Sequence, residues 1–177
     1  CAPLMAVKRA TEANYAKQKK SIHETKNWVK FKVLKKFANK IRKQTFALDK
    51  NALWTKDDYA VATLAFVLEV HRTFPLRREL ATVNWGIEPS DDVNWLDEAK
   101  QEIVYNKHKS APHMGAVRHK MSRTMWRLWR LLKKQQMKRK ATKGRMLLNK
   151  YWKPMTPNGY STWLKREMRR CEGCEKK

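Results

Sequence analysis

Acid is missing from a long stretch of this 177-residue chain. No Asp or Glu lies between Glu102 and Glu167, although residues 103–166 hold 18 Lys and Arg and three histidines, His108, His113 and His119. A folded surface normally mixes both signs, which relieves self-repulsion. A one-sign segment of this length excludes an electrostatically balanced surface and calls for a dense anion, of which a nucleic-acid backbone is the densest in a cell. Cysteine is scarce as well: Cys1, Cys171 and Cys174 are too few and too terminal for a disulfide framework, which fits a reducing compartment. Five glycines and six prolines beside eight tryptophans exclude a low-complexity disordered tail. No apolar run reaches the roughly 18 residues of a membrane span, so no transmembrane segment is expected. Missing too are a Gly-rich phosphate loop, a nucleophile elbow and a His pair with Glu at metal spacing. The expectation is therefore not an enzyme, with no small-molecule substrate and no cofactor.

What is present divides by charge. Residues 1–50 carry 14 Lys and Arg against three acids, a net of +11. Residues 51–102 carry five against ten, a net of −5, and residues 103–177 carry 22 against three, a net of +19. Such segregation reads as two surfaces facing polyanion and one facing something else. Three parts are expected: a basic N-terminal helical arm over 1–50, a helical core with an acidic middle over 51–135, and a basic C-terminal arm over 136–177. The fold class expected is mostly α, a small helical core (about residues 55–135) with extended basic helical arms at both ends.

Local signals place the helices. Ser21-Ile-His-Glu24 is a capping-box pattern. Leu34, Phe37, Ala38, Ile41 and Leu48 follow at helical spacing. Val29-Lys-Phe31-Lys-Val33 alternates with period two and also suits a short strand. Thr55-Lys-Asp-Asp58 opens a second helix. Its run Tyr59–Leu68 is apolar nearly all round, as a central buried helix is, and Pro75 ends it. A short helix is expected over 76–84, broken at Trp85-Gly86, and another from the Ser90-Asp-Asp-Val93 cap through Leu96, Ile103 and Val104. Residues 116–140 read as one amphipathic helix. Met114, Val117, Met121, Met125, Leu128 and Leu132 form its apolar stripe, with Arg and Lys opposite and Trp126 at the boundary. An aromatic, turn-rich loop over 151–160 and a short basic helix over about 161–170 complete the chain.

Candidate sites follow from charge and aromatic placement. The bland reading of the basic helix is a solvated face. The functional reading is phosphate contact by Lys120, Arg123, Arg127, Arg130, Lys134, Lys138, Arg139, Lys140, Lys143 and Arg145, joined by Lys35, Lys36, Lys40, Arg42 and Lys43 of the N-terminal arm. Trp126, Tyr151, Trp152, Tyr160 and Trp163 sit among basic residues, as where bases stack, though helically spaced tryptophans commonly serve packing. Trp126 and Trp152 are the stacking candidates; Trp54, Trp85 and Trp95 are assigned to core or protein interface. Cys171 and Cys174 are half a zinc site. The bland reading is a tail with two free thiols, and the alternative is zinc shared with a partner. Glu88, Asp91, Asp92, Asp97, Glu98 and Glu102 read as a cap plus a protein-facing surface, able also to pair in cis with the arms.

Small size, strong basicity, helical arms and a start at Cys1 rather than Met give a chain that resembles organellar ribosomal proteins in general character. The many tryptophans resemble the lineage-specific proteins of mitochondrial ribosomes. The start at Cys1 is read as a sign of processing, as by removal of a targeting peptide. The resemblance implies a structural component of the ribosome that binds ribosomal RNA through its arms and neighbouring ribosomal proteins through its middle, in the mitochondrial matrix. The competing readings are a DNA-binding architectural protein, placed in nucleus or cytoplasm, and a matrix-side accessory subunit of a membrane complex.

Overall fold

A computed structural model of the chain describes residues 31–74, 78–108, 111–140 and 144–170. The Ser21 capping pattern, Val29, Pro75, Lys143, Cys171 and Cys174 lie outside them. The first described element is helix α1 (Phe31–Ala47), so the alternating run resolves as helix from Phe31 onward. Ile41 is buried and Leu34, Phe37 and Ala38 half-buried, and this side packs on helix α2 (Lys56–Thr73). Thr55 caps α2 as its sequence foretells. The Thr55 hydroxyl accepts from Asp58 N–H at 3.1 Å, and the Asp58 carboxylate accepts from Thr55 N–H at 3.0 Å. Tyr59, Leu64, Phe66, Val67 and Val70 bury α2 on nearly every side. Glu69 interrupts the run at only 4% exposure, and its carboxylate accepts from Arg72 at 2.6 Å while Arg42 of α1 stands 3.7 Å away. That pair ties α1 to α2.

Helix takes up just over half of the described residues, but it does not act alone. Five short strands form one mixed sheet in the order β4-β3-β2-β1-β5: β1 (Asn84–Trp85), β2 (Trp95–Asp97), β3 (Glu102–Tyr105), β4 (Val117–Lys120) and β5 (Gly144–Arg145). β1 pairs parallel with β2 and antiparallel with β5; β2, β3 and β4 form an antiparallel meander. The helix expected from Ser90 through Val104 is thus a hairpin. Two local devices turn it. Asp97 Oδ1 accepts from Lys100 N–H at 2.9 Å, and Gln101 takes a left-handed backbone at φ 55°. Buried Asn94 then pins the strand ends: its Oδ1 accepts from Lys107 N–H at 2.7 Å, and its Nδ2 donates to Thr82 Oγ1 at 2.7 Å and to Lys107 O at 3.0 Å. The helix expected over 76–84 is a 3₁₀ turn, Arg78–Thr82, and the chain reverses at Gly86 (φ 64°).

The expected helix over 116–140 also divides. Residues 117–120 join the sheet, with Tyr105 opposite Val117, after a four-residue helix α3 (Ala111–Met114). Ser122 is extended, its hydroxyl accepts from Met125 N–H at 3.1 Å, and helix α4 (Arg123–Lys138) begins there. A Ser cap offers a helix start that periodicity alone does not reveal. Met114, Val117 and Met121 therefore do not belong to the helical stripe, although Met121 is buried, whereas Met125, Leu128 and Leu132 are buried on α4 as expected. Helix α5 (Pro157–Met168) starts earlier than the basic helix expected near 161, because Thr156 caps it and Pro157 suits its first turn. The core is wider than residues 55–135. Ile41, Met146, Leu147, Leu148, Met155 and Tyr160 join one apolar cluster with Phe66, Trp85, Ile103, Leu128 and Trp129. No helix among the described residues is long and apolar enough to cross a membrane.

Candidate nucleic-acid interface

The fold sorts the cations of the acid-free stretch into two sets. One set is engaged. Lys133 binds Glu98 at 2.6 and 2.8 Å. Arg118 stands 3.7 Å from Glu102 and 3.9 Å from Asp97, and Lys107 3.3 Å from Asp92. The acids of the middle segment thus pair in cis with residues that follow them. Other cations reach backbone carbonyls: Lys120 to Lys100 O, Lys138 to Ala52 O at 3.1 Å, Arg139 to Trp54 O at 2.5 Å, and Arg145, half-buried, to Thr82 O at 2.8 Å. Lys134 donates to Asn51 Oδ1 at 3.0 Å.

The second set is not matched by acid; Lys134 belongs to both, bonded to the neutral Asn51 side chain but to no carboxylate among the described residues. Arg123, Arg127, Arg130 and Lys134 are exposed on α4 at steps of four, three and four residues. At about 100° per residue they fall within about 60° of arc, along about 16 Å of helix. None is paired with an acid among the described residues. The Arg127 guanidinium lies 4.6 Å from the Phe46 ring of α1. That contact brings α1 beside the stripe, where exposed Lys43 lies one turn before Phe46. Lys35 and Lys36 are exposed further along α1. Lys40 is exposed and makes an interaction of its own, and Arg42 belongs to the Glu69 pair. Lys140, exposed just past the end of α4, takes a left-handed backbone at φ 50°. The residues named from sequence take different duties: Arg123, Arg127 and Arg130 of the stripe and Lys35, Lys36 and Lys43 of α1 are exposed without an acid partner among the described residues, while Lys134, Lys138, Arg139, Arg145 and Arg42 also bond to other parts of the fold.

The tryptophans divide in the same way. Trp54, Trp85 and Trp95 are buried, as the neutral surroundings of their sequence implied. Trp126 is half-buried against the core. Trp152 turns inward, its ring 4.3 Å from that of Tyr59 and 4.9 Å from the Arg139 guanidinium. Its neighbour Tyr151 is left outside, and half-buried Trp163 of α5 lines the same cleft as Tyr151. Sequence reasoning named both among five aromatics in basic surroundings but took Trp126 and Trp152 as the stacking candidates. The signal was there in Lys150-Tyr151 and Trp163-Leu-Lys165-Arg166 on either side of a Pro-rich turn.

Among the described residues, the titratable groups that depart from ordinary behaviour are three buried tyrosines and two partly buried histidines. Burial raises Tyr59, Tyr105 and Tyr160, and burial lowers His71 and His119. His71 Nε2 and the Tyr160 hydroxyl share a hydrogen bond of 2.7 Å between α2 and α5. No group of three or more His, Cys, Asp or Glu among the described residues could hold a metal ion. Comparison with known protein families, curated proteins and solved structures finds no match.

Proposed function

We propose that the protein is a structural component of a ribonucleoprotein, a mitochondrial ribosomal protein of the organelle matrix, which grips ribosomal RNA phosphates through the α4 stripe. The supporting observation is the sorting of charge. Five of the ten middle acids, Glu69, Asp92, Asp97, Glu98 and Glu102, pair with cations, while Arg123, Arg127, Arg130 and Lys134 stay exposed in one row. Arg presents a planar fork that matches phosphate oxygens, and contacts of this kind give position and affinity rather than sequence choice. The loop around Gly86, where Ile87, Glu88 and Asp91 are exposed, is the surface offered to neighbouring ribosomal proteins. Burial of Met125, Leu128 and Leu132 weighs against the reading in which α4 lies in a lipid surface, because such a helix must expose its apolar side.

The test combines sedimentation and mutation. The protein should comigrate with a large particle and leave it after ribonuclease treatment. The triple reversal Arg123→Glu, Arg127→Glu, Arg130→Glu should weaken binding to structured RNA by more than tenfold at fixed salt, with the helical circular dichroism unchanged because all three side chains are exposed. Wild-type affinity in the reversed protein would mean that this face is not the binding face. A clear preference for duplex DNA over structured RNA would refute the ribosomal role.

A further inference from the structure

We infer that the cleft between the start of α2, the 149–156 loop and α5 seats one unstacked nucleotide of a looped or single-stranded RNA, Trp163 and Tyr151 taking the base and Arg166, Arg170 and Lys150 the phosphate. The inference rests on the RNA-binding reading above and adds a second, different mode of contact. The cleft has a volume of about 500 Å³, within the range of sites that hold one small ligand.

Its aromatic wall is made by a turn. Asn149 Oδ1 accepts from Tyr151 N–H at 2.8 Å and from Lys153 N–H at 3.2 Å, and Asn149 O accepts from Trp152 N–H at 2.9 Å. Trp152 takes a left-handed backbone at φ 62°. This geometry sends the Trp152 ring in against Tyr59 and leaves Tyr151 59% exposed at the tip. Lys56 and Lys150 already stand 5.5 and 5.1 Å from the Tyr151 ring centre. Lysine stems are flexible and exposed cation–ring contacts weak, so both can swing to a phosphate when a base takes the ring. The Asn149 amide nitrogen, not used by the turn, is a spare donor on the wall for a base carbonyl.

The phosphate end is built on a buried anion. Glu167, itself nearly enclosed, holds Arg166 at 3.0 Å through one carboxylate oxygen and Arg170 at 2.8 Å through the other. The two guanidiniums are thereby aimed while their side chains stay 63% and 69% exposed. Asp57 is the other acid on the wall. With Lys150, three cations on the wall face two acids, a surplus of one positive charge that Lys56, at the Tyr151 ring, raises to two. That suits a single phosphate group better than a run of backbone. The start of α5 adds little, since Pro157 has no N–H and Thr156 already accepts from Gly159 N–H at 3.0 Å.

The experiment compares two RNA probes on the full chain: a hairpin with a uridine-rich loop, and a fully paired duplex of the same stem. Wild type should prefer the hairpin, and Tyr151→Ala and Trp163→Leu should each weaken hairpin binding about tenfold while leaving duplex binding unchanged. A 5-iodouridine in the loop should crosslink to Tyr151 or Trp163. Equal binding of the two probes by wild type, unchanged hairpin affinity in Tyr151→Ala, whose exposed side chain makes that variant safe to fold, or crosslinks confined to α4 would overturn the inference. Arg123→Glu, Arg127→Glu, Arg130→Glu should weaken both probes together. Failure of wild type to bind either probe would instead remove the RNA-binding reading itself.

Discussion

Gln136 is fully enclosed and polar, and every one of its bonds crosses the molecule. Its Nε2 donates to the Tyr59 hydroxyl at 2.8 Å and to Met146 O at 3.0 Å, and its Oε1 accepts from Trp85 Nε1 at 3.1 Å. One side chain thereby knots α2, the sheet and the segment after β5. Gln136→Leu keeps the volume but leaves buried polar atoms short of partners, and should cost about 2–3 kcal/mol in urea denaturation. Arg130→Ala, on the same helix but exposed, should change stability by less than about 0.5 kcal/mol. None of this was legible in sequence. Two glutamines in a basic helix look like solvated surface, and the partners of the Gln136 side chain lie 10, 51 and 77 positions away. The burial of Tyr59, Leu64 and Phe66 was legible, because a run apolar on all sides can only be enclosed.

At the scale of elements, starts read better than spans. Thr55 announced α2 through side chains that act within one turn, and the cap works as written. The β2–β3 hairpin was hidden because Val93, Leu96, Ile103 and Val104 also fit a helical face, and strands of three and four residues are too short to show alternation. Asn94, with bonds to Thr82 and Lys107, supplies the long-range preference for strand. The same limit hid the cleft beside α5, whose walls come from three separate parts of the chain. The docking of α5 on α2 has a pH signature. Burial lowers His71 below its ordinary value of 6.5, so the unfolded chain binds more protons as the solution is acidified. The stability due to neutral His71 is complete above about pH 6.5 and is lost as pH falls toward the depressed folded value. His119, lowered in the same direction, adds to the slope. Lys35 and Arg72 line the groove beside His71. Acidification from about pH 7.5 to 5.5 should therefore lower Tm, and His71→Gln should flatten that decline in a thermal series.

For the whole molecule, a formal net charge of +25 opposes folding through self-repulsion, and the cis pairs of the middle segment relieve only part of it. Raising sodium chloride from about 50 to 500 mM should raise Tm of the free protein while lowering its affinity for RNA, since salt screens both interactions. In binding titrations, the triple reversal on α4 should reduce the slope of log affinity against log salt by about two to three. The division into charge blocks was legible from the first reading, because it is a property of composition along the chain. Which cations remain open was not, because that depends on carbonyls and carboxylates brought close only by folding. The sheet carries a last consequence. Its outer strand β4 turns Val117 and His119 inward and leaves Arg118 and Lys120 exposed, and among the described residues no strand pairs with its outer side. A bare edge is a template for another chain, and charged side chains set along it, Lys120 among them, disfavour that pairing. Two copies meeting along β4 would have to bring those charged side chains together, which works against sheets joining edge to edge.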